Sequence, residues 1–216
     1  MPEGLKYFLV YKPYGMVSRF TPEDGHPGLK ELGPLPADVY PVGRLDADSE
    51  GLLLLTNDTS LNEQLLHPRH AHSRTYLVQV EKEIDEPAID KLREGIEIRI
   101  DGRPHHSAPA KAERIDEPAL PPRVPPIRYR KDIPTSWIEL TMSEGKNRQV
   151  RRMTAAAGFP TLRLARIRIE GLTMDEPLPG KVVELSGAEV YAALGIKQKP
   201  MPEKRTGKNR HGRRWS

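Results

Sequence analysis

The segment Val42-Gly43-Arg44-Leu45-Asp46-Ala47-Asp48-Ser49-Glu50-Gly51-Leu52-Leu53 sets three carboxylates at a spacing of two, between glycines and just before an apolar run. A loop held by a rigid strand is a common seat for catalytic groups. Taken as residues alone, Asp46, Asp48 and Glu50 fit a solvated turn, a divalent-cation cluster, or a nucleophile with two bystanders. A second segment is Glu144-Gly145-Lys146-Asn147-Arg148-Gln149-Val150-Arg151-Arg152-Met153. Drawn as a helix, it puts Arg148, Arg151, Arg152 and Ala155 on one face and Val150, Met153, Thr154 and Ala157 on the other. Solvated helix faces usually mix signs. Three Arg with no acid within the helix call for an anionic partner, and a phosphate backbone or a buried carboxylate would serve.

The elements that must position these groups follow from pattern. Lys6 to Tyr11 reads as a buried strand, stopped by Pro13 and Gly15. Residues 21–38 are loop with one helical turn, being dense in Pro, Gly and Asp. Leu52 to Thr56 is a short central strand, and Asn57-Asp58 caps a helix running through Leu65. Thr75 to Glu81 alternates as a strand. Asp85 opens a helix with Pro87 in its first turn and Gly95 at its end. Residues 96–100 and 108–115 are further strand candidates. The prolines of 116–134 leave an extended, stiff loop. Thr135 to Met142 is a strand with one buried face, and Asn147 to Ala157 a helix closed by Gly158. Leu162 to Ile169 is a strand whose apolar phase slips at Ala165, the mark of a bulge. Val182 to Leu185 is a last strand. A helix from Ser186 to Leu194 follows, with Ser186 and Glu189 as its capping box and Gly195 as its stop. Strands outnumber helices without regular alternation, which predicts an α+β fold on a largely antiparallel sheet.

Composition narrows the class of partner. The net charge of +4 is unevenly placed: Lys197 to the C-terminus holds eight bases and one acid, while 1–196 holds 26 bases and 29 acids. Residues 123–168 carry eleven bases against three acids. Such asymmetry is the footprint of a protein that meets a polyanion on one side. With no Cys, disulfides and thiolate metal sites are excluded and a reducing compartment is suited. Apolar runs such as Leu52–Leu55 are far too short to span a bilayer, and the N-terminus lacks the pattern of a secretory signal. A soluble, cytoplasmic protein is expected. His67, His70 and His72, with His105-His106, match no familiar zinc spacing, so no metal site is assigned.

GRLDxxSEGLL, then a strand with Tyr-x-Val, then EGxNRQVRRM, resembles the RsuA/RluB/RluE/RluF family of rRNA pseudouridine synthases. The likeness runs from Lys12-Pro13-Tyr14-Gly15 to about Leu185. Pro125-Pro126-Ile127-Arg128 and Ile133-Pro134-Thr135-Ser136-Trp137 are similar to the RluE branch in particular. The resemblance implies the pseudouridine synthase catalytic fold: a largely antiparallel mixed sheet flanked by helices, in two lobes with the active-site cleft between them. It implies a catalytic domain over 1–196, without the separate N-terminal RNA-binding domain of several relatives. Residues 197–216, basic and nearly without aliphatics, are expected to be a disordered tail.

The implied reaction isomerises a uridine in RNA, most directly one uridine of 23S (large-subunit) rRNA, free or in a pre-ribosomal particle. It is redox-neutral and needs no cofactor, in keeping with the absence of a nucleotide-binding Gly-rich loop or a Cys/His ligand set. A monomer is expected. Asp46 matches the family's catalytic aspartate, a nucleophile or a promoter of glycal formation, and leaves Asp48 and Glu50 as loop residues. Arg151 matches the basic partner expected to form a salt bridge with Asp46, which favours the ionised carboxylate. Tyr76 matches the active-site tyrosine, whose ring would stack on the flipped uracil and whose hydroxyl would serve as a base in the last proton removal. Arg44 would hold the displaced base or a nearby phosphate. Lys146, where many relatives carry Arg, would contact RNA together with Arg148 and Arg152. On the stiff loop, Arg123, Arg128, Arg130 and Lys131 would contact phosphates and position the RNA without specifying the uridine. Trp215 in the tail would stack. Two other classes remain at this point: a non-catalytic rRNA-binding or ribosome-assembly factor, and a metal-dependent nuclease built on the three acids.

Overall fold

The computed structural model describes residues 4–128 and 130–197, so the tail from 198 onward, Trp215 included, lies outside the described residues. The first half of the chain builds β1 (Tyr7–Lys12), β2 (Tyr40–Pro41), β3 (Glu50–Thr56), α1 (Thr59–Leu66) and β4 (Arg74–Glu81). Next come α2 (Glu86–Glu94), β5 (Glu97–Ile100), β6 (Arg103–His106), β7 (Lys111–Ile115) and β8 (Thr135–Met142). The chain continues with α3 (Gln149–Ala156), β9 (Thr161–Ile169), β10 (Val182–Leu185) and α4 (Gly187–Leu194). The ends of these elements follow from side-chain chemistry. Asp58, Asp85 and Ser186 each accept a hydrogen bond from the first turn of the helix they open, and Ser186 completes a capping box with Glu189.

Eight strands form one sheet in the order β10-β1-β3-β9-β4-β8-β7, with β2 on β3. Every pairing in it is antiparallel except a short parallel join of β3 to β9, Glu50 to Ala165 and Gly51 to Arg166. The sheet therefore falls into two halves that meet at the strand start just after the three acids. Gly51 makes the join possible. Its φ is +109°, and a Cβ there would stand 2.2 Å from the Arg166 carbonyl oxygen, so no side chain fits. The fold is mixed α+β on a largely antiparallel sheet, as expected.

Each half has its own core. In the first half, Tyr7, Leu9, Tyr11, Leu52 and Leu54 pack with α1 and α4, while Phe8, Val10, Leu53 and Leu55 pack beneath the 16–39 loop. In the second, Val78, Val80, Ile138 and Leu140 pack with Ile89 and Leu92 of α2 and Val150 and Met153 of α3. Burial of both faces explains why β3 reads as a continuous apolar run rather than an alternation.

Several expectations need correction. The helix expected from Asn147 begins at Gln149, because Arg148 adopts a left-handed backbone (φ 51°, ψ 30°). The three arginines therefore do not share one helical face. The strand slip lies at Ile167, not Ala165: Thr75 pairs with Arg168 but Tyr76 with Arg166, and a second irregularity falls between Gln79 and Val80. β6 was not foreseen, since Arg103-Pro104-His105-His106 has neither alternation nor strand formers.

Candidate active site

A cleft of about 610 Å³ opens between the two halves and is lined by Arg44, Asp46 and Ser49 from the loop before β3. Tyr76 and Arg74 come from β4, Leu164 and Arg166 from β9, and Glu144 to Val150 from the turn into α3. The loop is held at several points. Ser18 Oγ donates to the Leu45 carbonyl at 2.8 Å and accepts from the Leu45 amide at 2.9 Å. Ser49 N donates to Asp46 O at 3.1 Å and Gly15 N to Ala47 O at 2.7 Å. These bonds fix the backbone around Asp46 and leave its carboxylate about 40 % exposed at the cleft.

Beneath the loop, Lys12 is fully buried and donates to Met16 O at 2.6 Å and Pro13 O at 3.0 Å. Burial pushes its ammonium down to about 8, opposed by the negative charges of Glu50, Asp48 and Asp46.

The three acids do not converge as a cation cluster would require. Glu50 is buried and paired with buried Arg163, Nε to Oε1 at 2.5 Å. Arg163 also donates to Pro121 O at 2.7 Å, which ties the Pro-rich loop to the end of the acidic segment. Asp48 accepts both prongs of Arg148 at 2.9 and 2.7 Å. Its carboxyl is held below the usual carboxylate range: burial pushes it up, but the Arg148 hydrogen bonds and the charges of Arg151 and Arg148 outweigh that. Asp48 is a loop residue as expected, though gripped by arginines, whereas Glu50 opens β3 instead.

The ion pair expected between Arg151 and Asp46 takes a different form. Asp46 instead has Arg148 beside it, Nη1 to Oδ2 at 3.6 Å. Arg151 stands 3.4 Å from Asp48 Oδ2 and donates to the Asp48 carbonyl at 2.6 Å. Burial lowers the pKa of Arg151, and the charge of Asp48 followed by that of Asp46 oppose the shift. Arg151 thus feels Asp46 across Asp48.

Tyr76 lies on the cleft face of β4 opposite Arg166, and the positive charge of Arg166 interacts with it. Arg166 is buried and donates through Nε to Leu52 O at 2.7 Å, so a cation forms part of the cleft floor. Arg44 and Lys146 are exposed and line the cleft. Arg152 turns away, donating to Asn147 O and Arg99 O.

On the Pro-rich loop, Arg123 sits 4.1 Å over the Tyr14 ring and donates to Pro125 O, and Arg130 pairs with Glu81 at 2.8 Å. Those two cations hold the loop to the body. Arg128 and Lys131 stay exposed.

Sequence reasoning missed Lys12, Arg74, Arg163, Arg166 and the brace behind the α3 turn. In that brace Glu144 accepts from Gln149 Nε2 at 2.5 Å and lies 2.8 Å from His105 Nε2, while Gln149 Oε1 accepts from Lys146 N. The available signal was bases at Arg163 and Arg166 among the apolar residues of β9, where an unpaired charge is too costly to bury.

A carboxylate in a cleft floored by a buried cation, beside a tyrosine and walled by arginines, suits chemistry on a base attached to a phosphate backbone. Residues 6–156 match the family described as RNA pseudouridylate synthase. The chain belongs to that family and is an RNA pseudouridine synthase. It is 46 % identical over 183 residues to ribosomal large subunit pseudouridine synthase E of Vibrio parahaemolyticus, covering 85 % of this chain and 75 % of that one. It is 48 % identical over 174 residues to the protein of the same name from Xanthomonas axonopodis pv. citri, covering 79 % and 89 %. A crystal structure of a pseudouridylate synthase superposes with a TM-score of 0.73 at 30 % identity, over 88 % of this chain and 74 % of the other. Among the described residues no helix is long and apolar enough to cross a membrane.

Proposed function

We propose that this chain converts a uridine of large-subunit (23S) rRNA to pseudouridine in the cytoplasm, acting as a monomer on free rRNA or on an assembling particle. The observation that carries the reading is the placing of Asp46, Tyr76 and Arg166 in one cleft between the halves of a family fold. The large-subunit substrate comes from the relatives, which are named for it. Residues 1–196 serve as the catalytic domain and 197–216 as an accessory RNA contact.

In this reading the target nucleotide is flipped into the cleft and its uracil stacks on Tyr76. Asp46 either attacks the ribose carbon that bears the base or promotes loss of its neighbouring proton. In both routes the N-glycosidic bond breaks and the base leaves as a uracil anion. The ring turns and a C–C bond forms to the same ribose carbon, as the bond to Asp46 breaks in the first route or Asp46 returns the abstracted proton in the second. The proton on the newly bonded ring carbon then leaves through the Tyr76 oxygen, and the ring nitrogen freed from the ribose gains one. Arg166 is a fixed positive charge in the floor where the departing base develops negative charge. Arg44, Lys146, Arg128 and Lys131 are the exposed cations available for phosphates.

The test is pseudouridine mapping of rRNA from cells with and without the gene. Loss of modification at one large-subunit uridine, restored by the wild-type gene, is expected; an unchanged map would refute the proposal.

A further inference from the structure

Asp48 and the two arginines that grip it come from segments about a hundred residues apart, on opposite sides of the cleft. The Asp48 side chain fills the fork of Arg148, its backbone carbonyl takes Arg151 Nη2, and Arg151 Nε stands beside its carboxylate. Arg148 reaches this position from a left-handed backbone, which a bulky residue keeps only where its surroundings enforce it. The same guanidinium stands 3.6 Å from Asp46. The two-pronged contact thus goes to Asp48, and Asp46 gets the longer, looser one. A carboxylate tied into a bidentate pair has its lone pairs engaged, whereas one held beside the charge keeps them for reaction.

We propose that Asp48 is a positioning residue for the uridine isomerisation. It occupies Arg148 and Arg151 so that they stand beside Asp46 without capping it, and it withholds them from the RNA phosphates. The proposal rests on the reading of Asp46 as the reacting carboxylate.

An Asn at position 48 offers one neutral acceptor in place of two charged ones. Arg148 would then turn to Asp46 or to a phosphate, and either move costs rate, while the lost negative charge favours RNA. A merely structural Asp48 would instead weaken binding and catalysis together.

The experiment measures single-turnover pseudouridine formation at saturating enzyme, and RNA affinity across a salt series, on an rRNA fragment carrying the target. Asp48→Asn is expected to lose at least about tenfold in rate, with affinity equal or tighter and more salt-dependent. Arg148→Gln is expected to be slower than wild type, and the double variant no slower than Asp48→Asn alone, because the two residues act as one unit. A rate loss below about tenfold, a parallel loss of affinity, or losses that multiply in the double variant would overturn the proposal. Full rate in Asp48→Asn beside an inactive Asp46→Asn would remove Asp48 and leave Asp46. Turnover by Asp46→Asn would remove both.

Discussion

At the scale of single residues, environment rather than residue type separates Asp46, Asp48 and Glu50. They share a short segment and a spacing, yet one faces the cleft, one is gripped by two guanidiniums and one is buried against Arg163. Partners a hundred residues away decide this, so local sequence left three readings open. Resemblance singled out Asp46 and left its two neighbours as loop residues, which holds for Asp48 but not for Glu50, the first residue of β3. Tyr76 is proposed in two roles that substitution can separate. Tyr76→Phe keeps the ring and loses the hydroxyl, so RNA affinity should hold within a few-fold while turnover falls about 10²–10⁴-fold; near-normal turnover would show that the hydroxyl is not the base. Lys12 supplies a pH prediction. Its folded value is about 8 against 10.5 for the free group, so between those values the unfolded chain holds more protons and Lys12 contributes stability that rises with pH. Below about 8 both states are protonated and the full cost of burying the charge remains. Denaturant unfolding at steps across that window should show wild type gaining on Lys12→Met by about 2–3 kcal/mol; a constant difference would contradict the assignment.

At the scale of elements, what was legible is what short-range chemistry fixes. The alternation of Thr135 to Met142, the caps at Asp58, Asp85 and Ser186, and the breaks at Gly95 and Gly195 mark boundaries close to those observed. The parallel join of β3 to β9 was not legible, because it depends on contacts between residues 114 or more apart. Nor was the left-handed Arg148, since bonds to Asp48 and the turn into α3 set it. The Glu50–Arg163 pair stands at that join and also holds Pro121. Removing one partner leaves the other buried and unpaired, so Glu50→Gln should cost about 3–5 kcal/mol. Replacing both with apolar residues, Glu50→Leu with Arg163→Met, should recover much of that loss. Thermal unfolding of the three proteins measures it, and equal destabilisation by the single and double changes would count against a buried ionic joint.

At the scale of the whole molecule, the chain separates its charges: an acidic body, a basic stretch around the cleft, and a tail with eight bases in its last twenty residues. The Pro-rich loop was expected to spend four cations on RNA. Arg123 lies over the Tyr14 ring and Arg130 pairs with Glu81, so each has a partner within the protein as well. Deleting 198–216 should weaken RNA binding at moderate salt and flatten the dependence of log affinity on log salt by at least about one unit. Identical affinity at every salt concentration would show that the tail makes no contact. The most direct measurement of the central claim is pseudouridine formation by purified Asp46→Asn on the rRNA substrate, with RNA affinity measured in parallel. The account predicts no detectable product from an enzyme that binds RNA within a few-fold of wild type. Product formed at an appreciable rate by that variant would contradict it.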